Sequence, residues 1–164
     1  MKLFSFLGTG DYKEATYSYE NEKLTTLYAP IATAFFIKPE SFILFLTEEA
    51  EKKHLITFKE ELNRKVPFIK FFDIRIPSGF TEEERWEIWE KVIKNVEEEE
   101  EVAFDLTHSY RTIPFYTFFA IQFLKYLKNI ELKGVFYGAF EYPGEIKPCI
   151  KINEVFYILD WFYY

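Results

Sequence analysis

Five consecutive large apolar residues, Phe42, Ile43, Leu44, Phe45 and Leu46, run between Ser41 and Thr47 with no polar residue among them. A strand written this way has both faces buried, as in a parallel sheet covered by helices on either side. The rest of the chain agrees, because short apolar runs alternate with stretches of helical spacing. The expected fold class is therefore α/β: a mainly parallel sheet with helices on both faces.

The other elements follow from turn and cap signals. Residues 3–7 read as a first strand that ends in Gly8-Thr9-Gly10, and residues 17–20 and 23–27 alternate around Asn21 as a small hairpin. Ala29–Ile37 reads as a helix with Pro30 in its first turn and Pro39 ending the segment. Thr47 caps a charged helix whose inner stripe is Leu55, Phe58 and Leu62, and residues 68–76 read as the third strand. Thr81 to Glu84 is a capping box, opening a helix with Trp86, Trp89, Ile93 and Val96 on one face. The acidic run 97–101 reads as a solvated, fraying helix end rather than a metal site, since adjacent residues cannot converge on one ion. Residues 102–106 form a fourth strand. Residues 113–128 form a helix apolar on nearly every side, the pattern of an element buried against both the sheet and a partner subunit. Closing strands are expected at 135–137 and 146–152, with an aromatic helix or strand from 155 to 164. No linker or repeat divides the chain, so residues 1–164 are expected to form one domain.

Composition removes several function classes. A formal charge of −7 argues against binding duplex nucleic acid, which demands a broad basic face. One cysteine, Cys149, leaves no internal disulfide and no Cys-cluster metal site. No signal-peptide pattern follows Met1, and the longest apolar stretch is too short to span a bilayer and is broken by Pro114 and Gln122. A cytoplasmic protein with no membrane partner is expected. Aromatic residues make up 21% of the chain, so some rings are expected in a subunit interface or a base-stacking pocket.

Ligands of open α/β sheets bind outside the carboxyl ends of the strands. Two loops stand at such ends: Gly8-Thr9-Gly10-Asp11-Tyr12, and Thr107-His108-Ser109-Tyr110-Arg111-Thr112 after Asp105 and Leu106. Glycines let backbone N–H groups approach an anion, and the helix N-terminus after the second loop adds partial positive charge. Arg111 can clamp a phosphate, Thr9, Thr107, Ser109 and Thr112 offer hydroxyls, and Tyr12 or Tyr110 can stack on a base. The same second loop also reads as a tight strand–helix turn, with Thr112 as cap and Arg111 paired to a carboxylate. His108 reads as a catalyst or as a hydrogen-bonding structural group, Asp105 as orienting the loop, and His54 as a surface residue. Neither a dinucleotide fingerprint nor a P-loop is present, and no cofactor or metal is expected.

Phe4 to Tyr12 with the following Thr16-Tyr17 resembles the start of CRISPR-associated CARF domain proteins of the Csx1/Csm6-like type. Asp105 to Pro114, then Tyr137-Gly138-Ala139, resembles the second signature of that domain. The resemblance covers essentially the whole chain. It implies a Rossmann-like homodimer that binds a cyclic oligoadenylate, most simply cyclic tetra-adenylate, across the two-fold axis. Thr9, Gly10 and Asp11 fall in the first ligand loop, flanked by Gly8 and Tyr12. Thr107, His108, Ser109, Arg111 and Thr112 fall in the second, with Tyr110 among them. The family often has Gly after the motif His, where Ser109 stands here. Many relatives continue into a HEPN ribonuclease domain with an Arg-x4-His motif, and no Arg here is followed by His at that spacing. A stand-alone CARF protein resembles a ring nuclease, which cuts the messenger and switches off type III CRISPR antiviral signalling. Thr9, Ser109, Arg111 and His108 would carry that metal-independent chemistry. The alternative is a non-catalytic module that senses or sequesters the messenger for a partner effector.

Overall fold

The structure, a computed structural model, describes residues 1–109 and 112–163, the side chain of Tyr163 excepted. Its strands are Lys2–Leu7 (β1), Ala15–Tyr19 (β2), Glu22–Thr26 (β3), Ser41–Leu46 (β4), Lys70–Arg75 (β5), Glu101–Asp105 (β6), Glu131–Gly138 (β7) and Ile146–Lys151 (β8). Its helices are Ala29–Ile37 (α1), Glu48–Lys65 (α2), Glu82–Lys94 (α3), Ile113–Leu127 (α4) and Glu154–Tyr163 (α5). The strands form one sheet in the order β3-β2-β8-β7-β6-β1-β4-β5. From β5 to β7 every pairing is parallel. Strand order runs outward from β1 in both directions, so the reversal of direction falls between β1 and β6.

Alternation along β1 divides the core. Leu3 and Leu7 pack with α1 and α2 on one face, together with Phe42, Leu44 and Leu46 of β4. Phe4 and Phe6 point to the other face, where Phe45 and Phe104 meet Ile88 and Val92 of α3 and Ile121 and Leu124 of α4. Phe4 stacks on Phe104 at 5.3 Å between ring centres, and Phe6 on Phe45 at 5.2 Å. Helices cover both faces, as the apolar run of β4 requires.

The structure departs from the sequence reading in several places, each with a physical reason. The β2–β3 hairpin, antiparallel within itself, joins the sheet by parallel pairing of β2 with β8, so the excursion after β1 extends the sheet. The third strand begins at Lys70, because Phe68 has φ +72° and is fully exposed. In α3 the buried residues are Ile88 and Val92; of the predicted face, Val96 is buried just beyond the helix and Trp89 and Ile93 are half-buried, while Trp86 is exposed. The acidic run lies beyond the end of α3, where Glu100 pairs with Lys2 at 2.8 Å and Glu101 with Lys133 at 3.4 Å. It ties strand starts together rather than fraying.

His54 is also misplaced by the sequence reading, for it is buried on the inner stripe of α2 beside Leu55, Phe58, Glu61 and Leu62. Glu61, only 4% exposed, accepts hydrogen bonds at Oε1 from the Thr26 hydroxyl (2.8 Å) and the Leu27 N–H (3.1 Å). A buried donor stripped of its acceptor costs about 1–3 kcal/mol. Glu61→Ala is therefore expected to lower unfolding stability by about that much, with Glu61→Gln closer to wild type because it keeps an acceptor oxygen. Urea denaturation of both variants checks this.

Candidate functional site

The carboxyl ends of β1 and β6 lie side by side, with Ser5 level with Asp105. Loop one (residues 8–12) leaves β1, and loop two (residues 106–112) leaves β6. The Gly8 N–H donates to the Tyr12 hydroxyl at 3.0 Å and closes loop one on itself. Two neighbouring side chains of α2 hold the middle of the loop. Lys53 Nζ lies 2.8 Å from the Thr9 carbonyl and 2.7 Å from Asp11 Oδ1. That contact holds the Asp11 carboxyl below the usual carboxylate range. His54 Nε2 lies 2.7 Å from the Gly10 carbonyl, and Nδ1 lies 3.1 Å from the Tyr28 hydroxyl. A carbonyl only accepts, so Nε2 carries the proton and Nδ1 receives the Tyr28 hydroxyl. Burial lowers the His54 pKa, which suits the neutral ring.

Loop two is organised around Asp105, whose side chain is fully buried. Oδ2 accepts from the Thr33 hydroxyl at 2.5 Å, and Oδ1 from the Thr107 N–H at 3.0 Å. The Ser5 hydroxyl donates to the Asp105 carbonyl at 2.9 Å. Burial pushes the carboxyl up to about 6, against the hydrogen bonds from Thr33 and Thr107 that favour its charge. Thr107 in turn accepts from the Gly138 N–H at 2.8 Å. Gly138 is small by necessity, since a Cβ there would lie 2.8 Å from the Ala29 Cβ and 2.9 Å from the Tyr17 ring. Ser109 folds its hydroxyl back onto the Leu106 carbonyl at 2.8 Å. Thr112 occupies the N-cap position of α4 without a side-chain cap bond, so its hydroxyl does not do the capping considered for it.

His108 Nε2 accepts the Ala29 N–H at 3.2 Å. An N–H can only donate, so the ring is neutral, with its proton on Nδ1. Burial holds its pKa down at about 3. The Tyr12 ring packs on His108 at 3.9 Å between centres and on His54 at 4.8 Å, clasping the two loops together. In this arrangement His108 is a structural hydrogen-bond acceptor, and its acceptor nitrogen is taken.

The predicted ligand residues divide between two cavities. Thr9 and Thr112 share one of about 550 Å³ with Ser78, Phe80, Arg85 and Glu49. Asp11, Tyr12, Thr107 and His108 share a second of about 270 Å³, walled by Lys13, Tyr137 and Phe140. Tyr110 and Arg111 lie outside the described residues. Sequence reasoning missed His54, although it stands one helical turn before Phe58 on the inner stripe. It also missed the third wall of the larger cavity, although that wall follows the carboxyl end of a parallel strand just as loops one and two do. Among the described residues no cluster of metal ligands is present, and no helix is long and apolar enough to cross a membrane.

The His108 geometry has a signed pH consequence. Its folded pKa of about 3 lies below the ordinary histidine value of 6.5, so the unfolded chain takes up the proton first on acidification. The stability His108 contributes is full above 6.5 and lost as pH falls toward 3. Urea denaturation at several pH values is expected to show the gap between wild type and His108→Gln closing across that window. A gap that widens on acidification contradicts a neutral His108.

Two comparisons bear on identity. The family described as "CRISPR system endoribonuclease Csx1, CARF domain" matches residues 2–141, which include both loops and the strands that carry them. The CRISPR-associated protein MJ1674 of Methanocaldococcus jannaschii is 32% identical over 91 residues, covering 52% of this chain. The match spans 14% of that relative's length. With the β1–β6 switch point and the two loops in place, the chain belongs to the Csx1 CARF-domain family of CRISPR-associated proteins.

Proposed function

We propose that the two loops bind a cyclic oligoadenylate, with cyclic tetra-adenylate as the preferred ring, and that two copies of the chain share one ligand in the cytoplasm. The observation that carries this reading is the cavity of about 550 Å³ at the switch point, into which Thr9 of loop one and Thr112 of loop two both open. Loops tied down before a ligand arrives lose little entropy on binding it. The homodimer is supported by α4, which starts at loop two and leaves Phe115, Phe119, Phe123 and Tyr126 exposed. A second copy against that face would bury the rings and set two sites beside one two-fold axis.

We further propose metal-independent cleavage of the ring. A ribose 2′-oxygen bonds to its own neighbouring phosphorus and the P–O5′ bond breaks, leaving a 2′,3′-cyclic phosphate. The 2′-hydroxyl proton passes to water and O5′ takes one up. The protein's part is to hold the 2′-oxygen in line and to stabilise charge on the phosphorane, work that falls to Thr9 and Arg111, while Ser109, its hydroxyl given to the Leu106 carbonyl, shapes the turn of loop two. His108 serves this chemistry by holding loop two against α1 rather than by accepting the proton.

A second reading, a sensor that binds without cutting, gains support from the same observation on His108, since a ring nitrogen committed to Ala29 is not available as a base. Incubation with labelled cyclic tetra-adenylate in EDTA separates the two. Linear product bearing a 2′,3′-cyclic phosphate is expected; tight binding with the ring recovered intact selects the sensor. Arg111→Ala is expected to weaken binding by about tenfold to a hundredfold, the worth of a charge-assisted phosphate contact.

A further inference from the structure

The larger cavity has a third wall that neither signature loop supplies. It comes from residues 77–81, the segment between β5 and α3, and from the first turn of α3. This segment is held firmly. Glu84 Oε2 accepts from the N–H groups of Gly79, Phe80 and Thr81 at 3.0, 2.8 and 3.4 Å, and Gly79 takes the positive φ of +83° that the turn needs. Arg85 Nη1 donates to the carbonyls of both Gly79 and Phe80 at 3.2 Å. Five hydrogen bonds thus fix the backbone around Phe80, yet its ring is 88% exposed. Rigid support for an aromatic ring that buries nothing is arranged for something outside the chain.

We propose that Phe80, Glu49 and Arg85 form a subsite for one adenosine unit of a cyclic oligonucleotide, an inference that rests on the ligand reading above. The Phe80 ring stacks on the base, which any nucleobase permits. Glu49, in the first turn of α2 and lining the same cavity, accepts from the exocyclic amine. This contact selects adenine over a purine without the amine, because a carboxylate can only accept and finds no donor there. Among the described residues the Nη2 and Nε groups of Arg85 carry no hydrogen bond, leaving them to the adjoining phosphate. Thr9 and Thr112 close the cavity beside it.

The test titrates the full chain with cyclic tetra-adenylate and with the matching ring of unsubstituted purine, which carries hydrogen in place of each amine. Phe80→Ala is expected to weaken the adenylate ring by about tenfold to a hundredfold, and Phe80→Trp to restore it. Wild type is expected to favour the adenylate ring over the purine ring, and Glu49→Ala to erase that preference, since no acceptor then remains for the amine. Exposure of both side chains lets the variants fold as wild type does. If wild type binds cyclic tetra-adenylate while both variants match its affinity and preference, the subsite is wrong and the ligand reading stands. If wild type binds neither ring, the ligand reading itself fails. Should Phe80→Ala change the sedimenting mass instead, the ring belongs to a subunit contact and the proposal is overturned.

Discussion

The buried carboxylate of Asp105 is the constraint on which the rest of the site depends. It sits where β6 ends, and its two oxygens reach α1 through Thr33 and loop two through Thr107, while its carbonyl is held by Ser5 of β1. Burying a carboxyl is costly unless its oxygens find donors, and here the donors are the parts that need fixing relative to one another. The strand end, the turn and the covering helix become one unit because each relieves the same group. His108 repeats the device a few residues on, with the Ala29 N–H as its partner. Both side chains thus spend their polar atoms on holding the loops in place.

Much of this was legible in the sequence, and the reasons differ from element to element. The strand Ser41–Leu46 and the helix Ala29–Ile37 have the predicted bounds because each carries an unambiguous signal: an unbroken apolar run, and a proline at either side of the helix. The two loops were legible as turns at strand ends because glycine and hydroxyl residues directly follow buried strands there. What stayed hidden depends on long-range pairing. His54 and Glu61 look like surface groups in a charged helix, and only contact with Gly10, Tyr28, Thr26 and Leu27 makes their burial tolerable. Those partners lie 26 to 44 residues away in sequence. The docking of the hairpin on β8 is invisible for the same reason. Trp86 misled in the opposite direction: it falls on the apolar stripe by spacing, yet it stands exposed at the N-terminal end of α3.

The division of the loops between two cavities changes what the signature means. Residues close in sequence line different spaces: Thr9 and Thr112 line one cavity, and Asp11, Tyr12, Thr107 and His108 the other. Tyr12, packed on both His108 and His54, ties loop one to loop two and to α2 at once. Neither loop is therefore the wall of a single pit.

Loop one is tied to α2 at three consecutive residues through Lys53 and His54. An α-helix of 18 residues is stiff and spans about 27 Å. Glu61 ties the same helix to Thr26 at the end of β3 and to Leu27 just beyond it. Loop one and the segment that leads into α1, which share no strand pairing, are thereby braced on one stiff element.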